Sequence, residues 1–277
     1  MTIGTMDQLL WGFANPNRQR IPFAMTGSGS VTTSGLYSYW RLSGANKTVG
    51  VRPTVATVCD INTVGGFPYS NPDSVGQGLY LGRVSLMATT ILEATIADRL
   101  IHHGNVSLTS TSSQTLNLNL FTAPDATNNL KNRIGKPDYS EVQWRFEIWN
   151  GSTATAGAVT FSYTNHLGVS GLTATATLPT VSSYQSYQIV PQPGDFIRSI
   201  ESVNCSAVAS GAANIATVVA YNERFSLALP AINNMIVADW ETTGLVRIQD
   251  NSCLCITTNV GGTTPGTISG MITLIQG

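Results

Sequence analysis

The sequence predicts an all-β chain: an antiparallel β-sandwich, jelly-roll-like, with an extended N-terminal arm containing a short helix. Three observations carry that expectation. Short runs alternate apolar and polar residues with a period of two, the pattern of strands with one buried face. Clusters of Gly, Pro, Asn and Asp separate these runs and supply turn chemistry. The strand–helix–strand alternation that a parallel sheet requires does not occur.

The first element is a helix over residues 5–14. Thr5 or Asp7 caps it, Leu9, Leu10 and Phe13 share one stripe, Gly12 weakens it, and Asn15-Pro16-Asn17 ends it. Residues 28–50 are rich in Ser, Gly and Thr yet carry Leu36, Tyr37, Tyr39, Trp40 and Leu42, too many large apolar groups for a free linker. Residues 1–50 therefore read as an arm that docks on its own domain or on a neighbour. A β body follows over residues 51–277, and one sandwich or two sub-sandwiches divided near residues 125–140 both remain open.

The body begins with a β-rich run over residues 51–58, broken by Pro53, and with turn chemistry at Gly65-Gly66-Phe67-Pro68 and Asn71-Pro72-Asp73. Val84, Leu86 and Ala88 then alternate with Arg83, Ser85 and Met87. Leu92, Ile96 and Leu100 also fit a helical stripe, but strand is the preferred reading. Later runs are cleaner: Leu116, Leu118 and Leu120; then Val142, Trp144, Phe146 and Ile148 against Glu141, Gln143, Arg145 and Glu147. After Gly151-Ser152-Thr153 come Val159, Phe161 and Tyr163, then Leu172, Ala174, Ala176 and Leu178 against Thr173, Thr175 and Thr177. Each is expected to be half-buried in an antiparallel sheet. Ile215 to Tyr221 is apolar on both faces, which predicts a central strand covered on both sides. Runs at 245–248, 253–257 and 267–275 close a set of roughly ten to twelve strands.

Charged residues make up 10% of the 277, with 14 basic against 15 acidic; a globular protein carries about 25%. So little charge on a β-patterned chain predicts a surface that meets other protein rather than water. The basic residues form no stripe of the kind a duplex-DNA binder shows; Arg18 with Arg20, and Lys131, Arg133 and Lys136, read as solvated loop charge. No apolar run approaches the ~20 residues that span a bilayer. Residues 1–7 lack the basic-then-apolar pattern of a secretory leader, so synthesis and first folding are expected in a cytoplasm. Lysine occurs only at Lys47, Lys131 and Lys136. Strand edges, which Lys or Pro normally guards, are thus expected under loops or against another subunit.

Signals for chemistry are weak. Cys59, Cys205, Cys253 and Cys255 do not form the two spaced pairs of a zinc site; Cys253 and Cys255 share one face of a strand and read as small core residues. His102 and His103 point to opposite faces of a strand and cannot both ligate one metal; with Asp98 and Arg99 they read as a surface turn with a local ion pair. No nucleophile elbow, phosphate loop or zinc-protease helix occurs. Glu141 and Glu147 share a strand face but would stand about 20 Å apart, too far for a glycosidase pair. Asp239, Glu241 and Asp250 read as turn formers rather than calcium ligands. Trp40 with Tyr37 and Tyr39, or Tyr184 with Tyr187, would suit sugar stacking, but aromatics are also common interface anchors.

Several segments, taken in order, resemble a group of tailed-bacteriophage virion structural proteins of similar length. They are Ala97-Asp98-Arg99-Leu100-Ile101-His102-His103-Gly104, Tyr163-Thr164-Asn165, Pro193-Gly194-Asp195 with Arg198-Ser199-Ile200, Asp250-Asn251-Ser252-Cys253-Leu254, and residues 270–277. The resemblance spans residues 36–277 and implies a virion setting, with no catalytic residue, cofactor or metal. The chain lacks the long spine helix and basic, mixed α/β character of a tailed-phage major shell protein, which favours an accessory capsid, collar or tail component. The expected role is a non-enzymatic decoration or minor capsid protein on the head, made in the bacterial host. Its expected partners are copies of itself and other virion proteins such as the major capsid protein, with no direct nucleic-acid or membrane contact. The alternative is a tail, collar or fibre component that binds host-surface glycan. Leu9, Leu10, Trp11, Phe13, Tyr39 and Trp40 are the expected interface residues.

Overall fold

The computed structural model describes residues 3–14, 17–27, 35–72, 76–121, 130–150, 157–178, 185–205, 215–262 and 265–277. Strand makes up 54% of it and helix 8%, and the sheets are antiparallel. The turn expected at Gly151-Ser152-Thr153, part of the stop signal at Asn15-Pro16, Asp73, and Tyr184 lie outside the described residues. In chain order the strands are β1 (Arg18–Thr26), β2 (Gly35–Ser38), β3 (Gly44–Ala45), β4 (Thr57–Val58), β5 (Leu79–Ala88), β6 (Leu92–Ser107), β7 (Gln114–Asn119), β8 (Val142–Asn150) and β9 (Gly157–Asn165). They continue as β10 (Leu172–Leu178), β11 (Gln185–Gln188), β12 (Ile197–Asn204), β13 (Ile215–Leu229), β14 (Ile236–Ala238), β15 (Arg247–Ile248), β16 (Leu254–Val260) and β17 (Thr267–Gln276). The helices are α1 (Met6–Phe13), α2 (Leu130–Arg133) and α3 (Trp240–Thr243).

Six strands close into a barrel. They pair in the order β13-β8-β11-β2-β16-β6, and β6 pairs back onto β13. Two open sheets flank this ring, β14-β5-β17-β1-β3 with β15 on β5, and β10-β9-β12-β7. Trp144, Phe146 and Ile148 of β8 face out of the ring and share a core with Leu116 and Leu118 of β7, Val159 and Phe161 of β9, and Ala174 and Ala176 of β10. On the other side, Leu254 and Ile256 of β16 and Tyr37 of β2 share a second core with Ile21 and Phe23 of β1, Leu81 and Val84 of β5, and Ile272 of β17. β8 and β16 stand three places apart in the six-strand ring, so the two sheets cover opposite sides of the barrel. The strand alternation is thus as expected, but the architecture is a barrel between two sheets rather than two sheets face to face.

The barrel explains what happens to the polar faces. Glu147 of β8 is fully buried and bonds to side chains of three other strands of the ring, so it points into the lumen. Its carboxylate accepts hydrogen bonds from the hydroxyls of Ser38, Ser186 (3.1 Å) and Tyr221 (2.8 Å) and from the Trp40 indole (2.9 Å), with Arg41 Nε 3.5 Å away. Arg145, also inside, pairs with Glu223 (2.8 Å) and lies over the Tyr221 ring. The polar face of β8, expected to be half-buried beside water, is the filling of a narrow barrel, where side chains occupy the interior. Leaving one of these charges without its partner in that low-dielectric space would cost about 3–5 kcal/mol. The network therefore penalises wrong strand pairings. β13 fits its two-sided pattern: Ala216, Val218 and Ala220 join the outer core while Val219 and Tyr221 fill the lumen.

Several expectations are corrected. Of the arm expected to dock on its own domain or on a neighbour, the described strands are built into this chain's own sheets: β1 pairs with β17 along its whole length, and β2 is a stave of the barrel. No cut near residues 125–140 separates two sandwiches, because each of the three sheets contains strands from before and after it. Residues 97–104 are not a surface turn but the middle of β6. Asp98 is fully buried and pairs not locally but with Arg133 of α2, through Nε (2.9 Å) and Nη2 (2.6 Å). It also accepts from the Ser252 hydroxyl and the Cys253 amide, both at 2.8 Å. Arg133 is therefore no loop charge. It also donates to the carbonyls of Cys59 (2.5 Å) and Arg99 (2.9 Å), filling the gap along β6 between β16 and β4.

Candidate assembly interface

Local sequence folds the N-terminus into one short helix. The Thr5 hydroxyl accepts from the Gln8 amide (3.3 Å), and the Gln8 side chain accepts in return from the amides of Thr5 (3.2 Å) and Gly4 (2.8 Å). This reciprocal capping box satisfies donors that a helix start otherwise leaves open. α1 then lies on the outer face of the sheet built on β5, β17 and β1. Gly12 is the contact point: a β-carbon there would meet the Gln276 carbonyl oxygen at 2.7 Å and the Ile275 side chain at 3.4 Å. The residue expected to weaken the helix is the one that lets it approach the sheet. Beneath it, Leu9, Tyr80 and Ile275 form a buried cluster, with Ile3, Phe13 and Leu245 packed around them.

The other side of α1 is apolar and open. Met6, Leu10 and Trp11 are exposed, Leu10 by 62% and Trp11 by 46%. A cavity of about 320 Å³ opens beside Trp11 and is also lined by Asp7, Gln8, Gln77 and Gly277. Phe13 lines a second hollow of about 390 Å³ together with Gly82, Arg83, Val237, Asp239 and Trp240. That hollow leads to β14, which pairs with β5 at the end of the sheet order. Ile232, Met235, Val237 and Trp240 are all exposed there. Asp239 caps α3 by accepting from the Thr242 amide (3.1 Å), a bond that holds its carboxyl below the usual range. The cap places the Trp240 indole at the sheet edge. Single exposed apolar residues are ordinary, but a run of them along one face and edge is the mark of an interaction surface. A second, different face belongs to the four-stranded sheet, whose outer side presents Thr115, Asn117, Thr173, Thr175 and Thr177 to solvent.

The expected interface residues divide. Leu10 and Trp11 are on the surface, and Phe13 is half-buried at its margin. Leu9 is buried beneath α1. Tyr39 and Trp40 are wholly inside this chain: the Tyr39 hydroxyl donates to the Pro265 carbonyl (2.7 Å), and Trp40 binds Glu147. They offer no surface to a partner, nor a sugar platform. Sequence reasoning missed Met235, Val237 and Trp240. Their available signal was a set of large apolar residues directly after a segment of turn chemistry, Pro230 to Asn234.

Several titratable groups are held in the interior. His102 meets Trp40 edge-on at 5.5 Å, and burial, with Arg99 and His103 nearby, pulls its pKa down to about 2. It is a neutral ring inside the protein. Tyr221 is pushed far above its ordinary range by burial and then by Glu147. Lys47 donates to the carbonyls of Tyr39 (2.9 Å), Trp40 (3.1 Å) and Leu42 (2.7 Å), and burial lowers its pKa to about 8. Set against protein-family models, curated proteins and solved structures, the chain matches none of them.

Proposed function

We propose that this chain is a non-enzymatic structural protein of a bacteriophage particle, assembling on the head as a decoration or minor capsid protein in contact with copies of itself and with the major shell protein. The observation that carries the proposal is the apolar strip from Leu10 and Trp11, past Phe13, to Val237 and Trp240, on a chain with only 10% charged residues. Interface cores are poor in charge and rich in Trp, Phe and Met, and many such contacts add up across a repeating lattice. The resemblance to tailed-phage virion proteins supplies the setting. The test is a double variant, Leu10→Ala with Trp11→Ala, assayed for self-association by light scattering and for sedimentation with particle heads. Binding is expected to weaken about 30-fold or more, the loss of one interface hot spot, with an unchanged melting temperature. Undiminished association would remove the proposal.

A second reading has its own observation. Trp11 and Trp240 each stand exposed beside polar side chains, Gln8 and Gln77 in one case and Arg83 and Asp239 in the other. Exposed indoles with polar neighbours suit a host-surface glycan, as in a tail, collar or fibre component. Purified protein on a glycan array separates the two readings, since this one requires binding that Trp11→Ala or Trp240→Ala abolishes.

A further inference from the structure

Among the described residues the lumen holds a cation whose hydrogen-bond partners are not carboxylates. Arg99 is fully buried and lies over the Trp40 indole, its guanidinium carbon 4.1 Å from the ring centre. Nη2 donates to the Val64 carbonyl (2.8 Å) and to the sulfur of Cys253 (3.4 Å), while Nε and Nη1 have no hydrogen-bond partner. Among the described residues no carboxylate reaches it. A buried charge without a counter-charge is costly, and the groups facing this one are thiols.

Backbone pairing puts two of those thiols together. The Cys59 amide donates to the Leu100 carbonyl (2.8 Å), and the Arg99 amide donates to the Cys253 carbonyl (3.0 Å). β16 pairs with β6 as far as Asp98, and β4 resumes at Ile101, so Cys253 and Cys59 face consecutive residues along one edge of β6. They are therefore neighbours along that edge, and a disulfide bridges positions about 4.4–6.8 Å apart at Cα. Each thiol shifts the other's proton affinity, as neighbouring groups do. Cys255 is a poorer partner for Cys253, because residues two apart on one strand are about 7 Å apart. Cys205 belongs to the other core.

We propose that Cys59 and Cys253 are a latent disulfide pair, with Cys253 the attacking sulfur held against Arg99 and Cys59 the resolving one. The neighbouring Cys59 thiol and the Arg99 charge pull the Cys253 thiol down, while burial pushes Cys59 up, so the two differ in the sense an attacking and a resolving cysteine require. The oxidant is a small disulfide such as oxidised glutathione. The Cys253 thiolate attacks one of its sulfurs and expels a glutathione thiolate. Cys59 then loses its proton and attacks the Cys253 sulfur, forming the protein disulfide and expelling the second glutathione thiolate. Two protein thiols give up two electrons and two protons, and one oxidised glutathione becomes two reduced. Access is through the turn after Cys59, where Thr63 and Gly66 lie against the Cys253 sulfur and Asn62 and Val64 are exposed.

The test refolds the full chain in a glutathione redox buffer, alkylates free thiols, and maps the unreduced digest by mass spectrometry. Refolding removes burial as a barrier to the reagent. A Cys59 peptide linked to a Cys253 peptide is expected, with Cys205 and Cys255 alkylated, and with a melting temperature that falls back on adding dithiothreitol. Cys59→Ser is expected to leave a glutathione adduct on Cys253, and Cys255→Ser to leave the link unchanged. Natively folded protein with Cys59 and Cys253 both alkylated, or with Cys253 linked to Cys255, would overturn the proposal.

Discussion

His102 shows how a single residue is reassigned by its surroundings. In the sequence it stands next to His103 and near Asp98, an arrangement that invites metal or acid–base roles. In the barrel it is a neutral ring packed edge-on against Trp40, with burial and then the Arg99 charge lowering its pKa to about 2. The sign of the consequence follows. The unfolded chain takes up a proton on this ring below about pH 6.5 and the folded chain does not, so the stabilising contribution is intact above pH 6.5 and declines as pH falls toward 2. At pH 5 the loss is about 2 kcal/mol, at 1.36 kcal/mol per pH unit. Urea unfolding at pH 7.5 and pH 5.0 measures it, and His102→Gln is expected to remove most of the difference. His103 contributes in the same direction, since burial lowers it too. An equal pH dependence in the variant would place the acid sensitivity elsewhere.

Elements follow the same lesson, and α1 is the clearest. Its cap and apolar residues were legible in sequence because they obey local rules: Thr5 caps, Gln8 answers it, and Leu9 and Phe13 recur at helical spacing. What the sequence did not disclose is which side of the helix faces the sheet. Leu10 shares the apolar character of Leu9 but points to solvent, since only one side can pack on β17. Gly12→Ala tests that docking. Its new methyl would press on the Gln276 carbonyl, and a close-packed contact of this kind costs about 1–3 kcal/mol. Amide exchange is expected to accelerate in α1 while β6 and β13 stay protected. If protection in α1 is retained, the helix rests on other contacts than Gly12.

At the scale of the whole molecule, β6 and β13 unite the structure. Their outward side chains enter one core near one end and the second core near the other: Ile96 with Leu229 in one, Leu100 with Ala216 in the other. Both strands also contribute to the lumen, through Ala97 and Val219. The two sheets and the barrel should therefore unfold together rather than as separable sandwiches. Hydrogen exchange is expected to show one slowest group, β6, β13 and β16, exchanging only through global unfolding, and two independent protection levels for the flanking sheets would contradict this. The pairing of β1 with β17 joins Arg18 to Ile275, so much of the fold waits on distant contacts. Folding is expected to be slow for that reason.

The sequence by itself determined the β class, most strand positions and the N-terminal helix. These depend on local rules, a period of two, a cap, a turn residue, that operate over a few neighbouring residues. It also disclosed the scarcity of charge. Only the tertiary structure decided what each polar face meets. The alternation of Arg145 and Glu147 with Trp144 and Phe146 specifies two faces but does not say which is wet, and closure of the ring makes the polar one the drier interior. The same closure draws Tyr39 and Trp40 inward and leaves Trp11 and Trp240 outside. It also sets Cys59 beside Cys253, partners that lie far apart in the chain and meet only because β4 and β16 share an edge of β6.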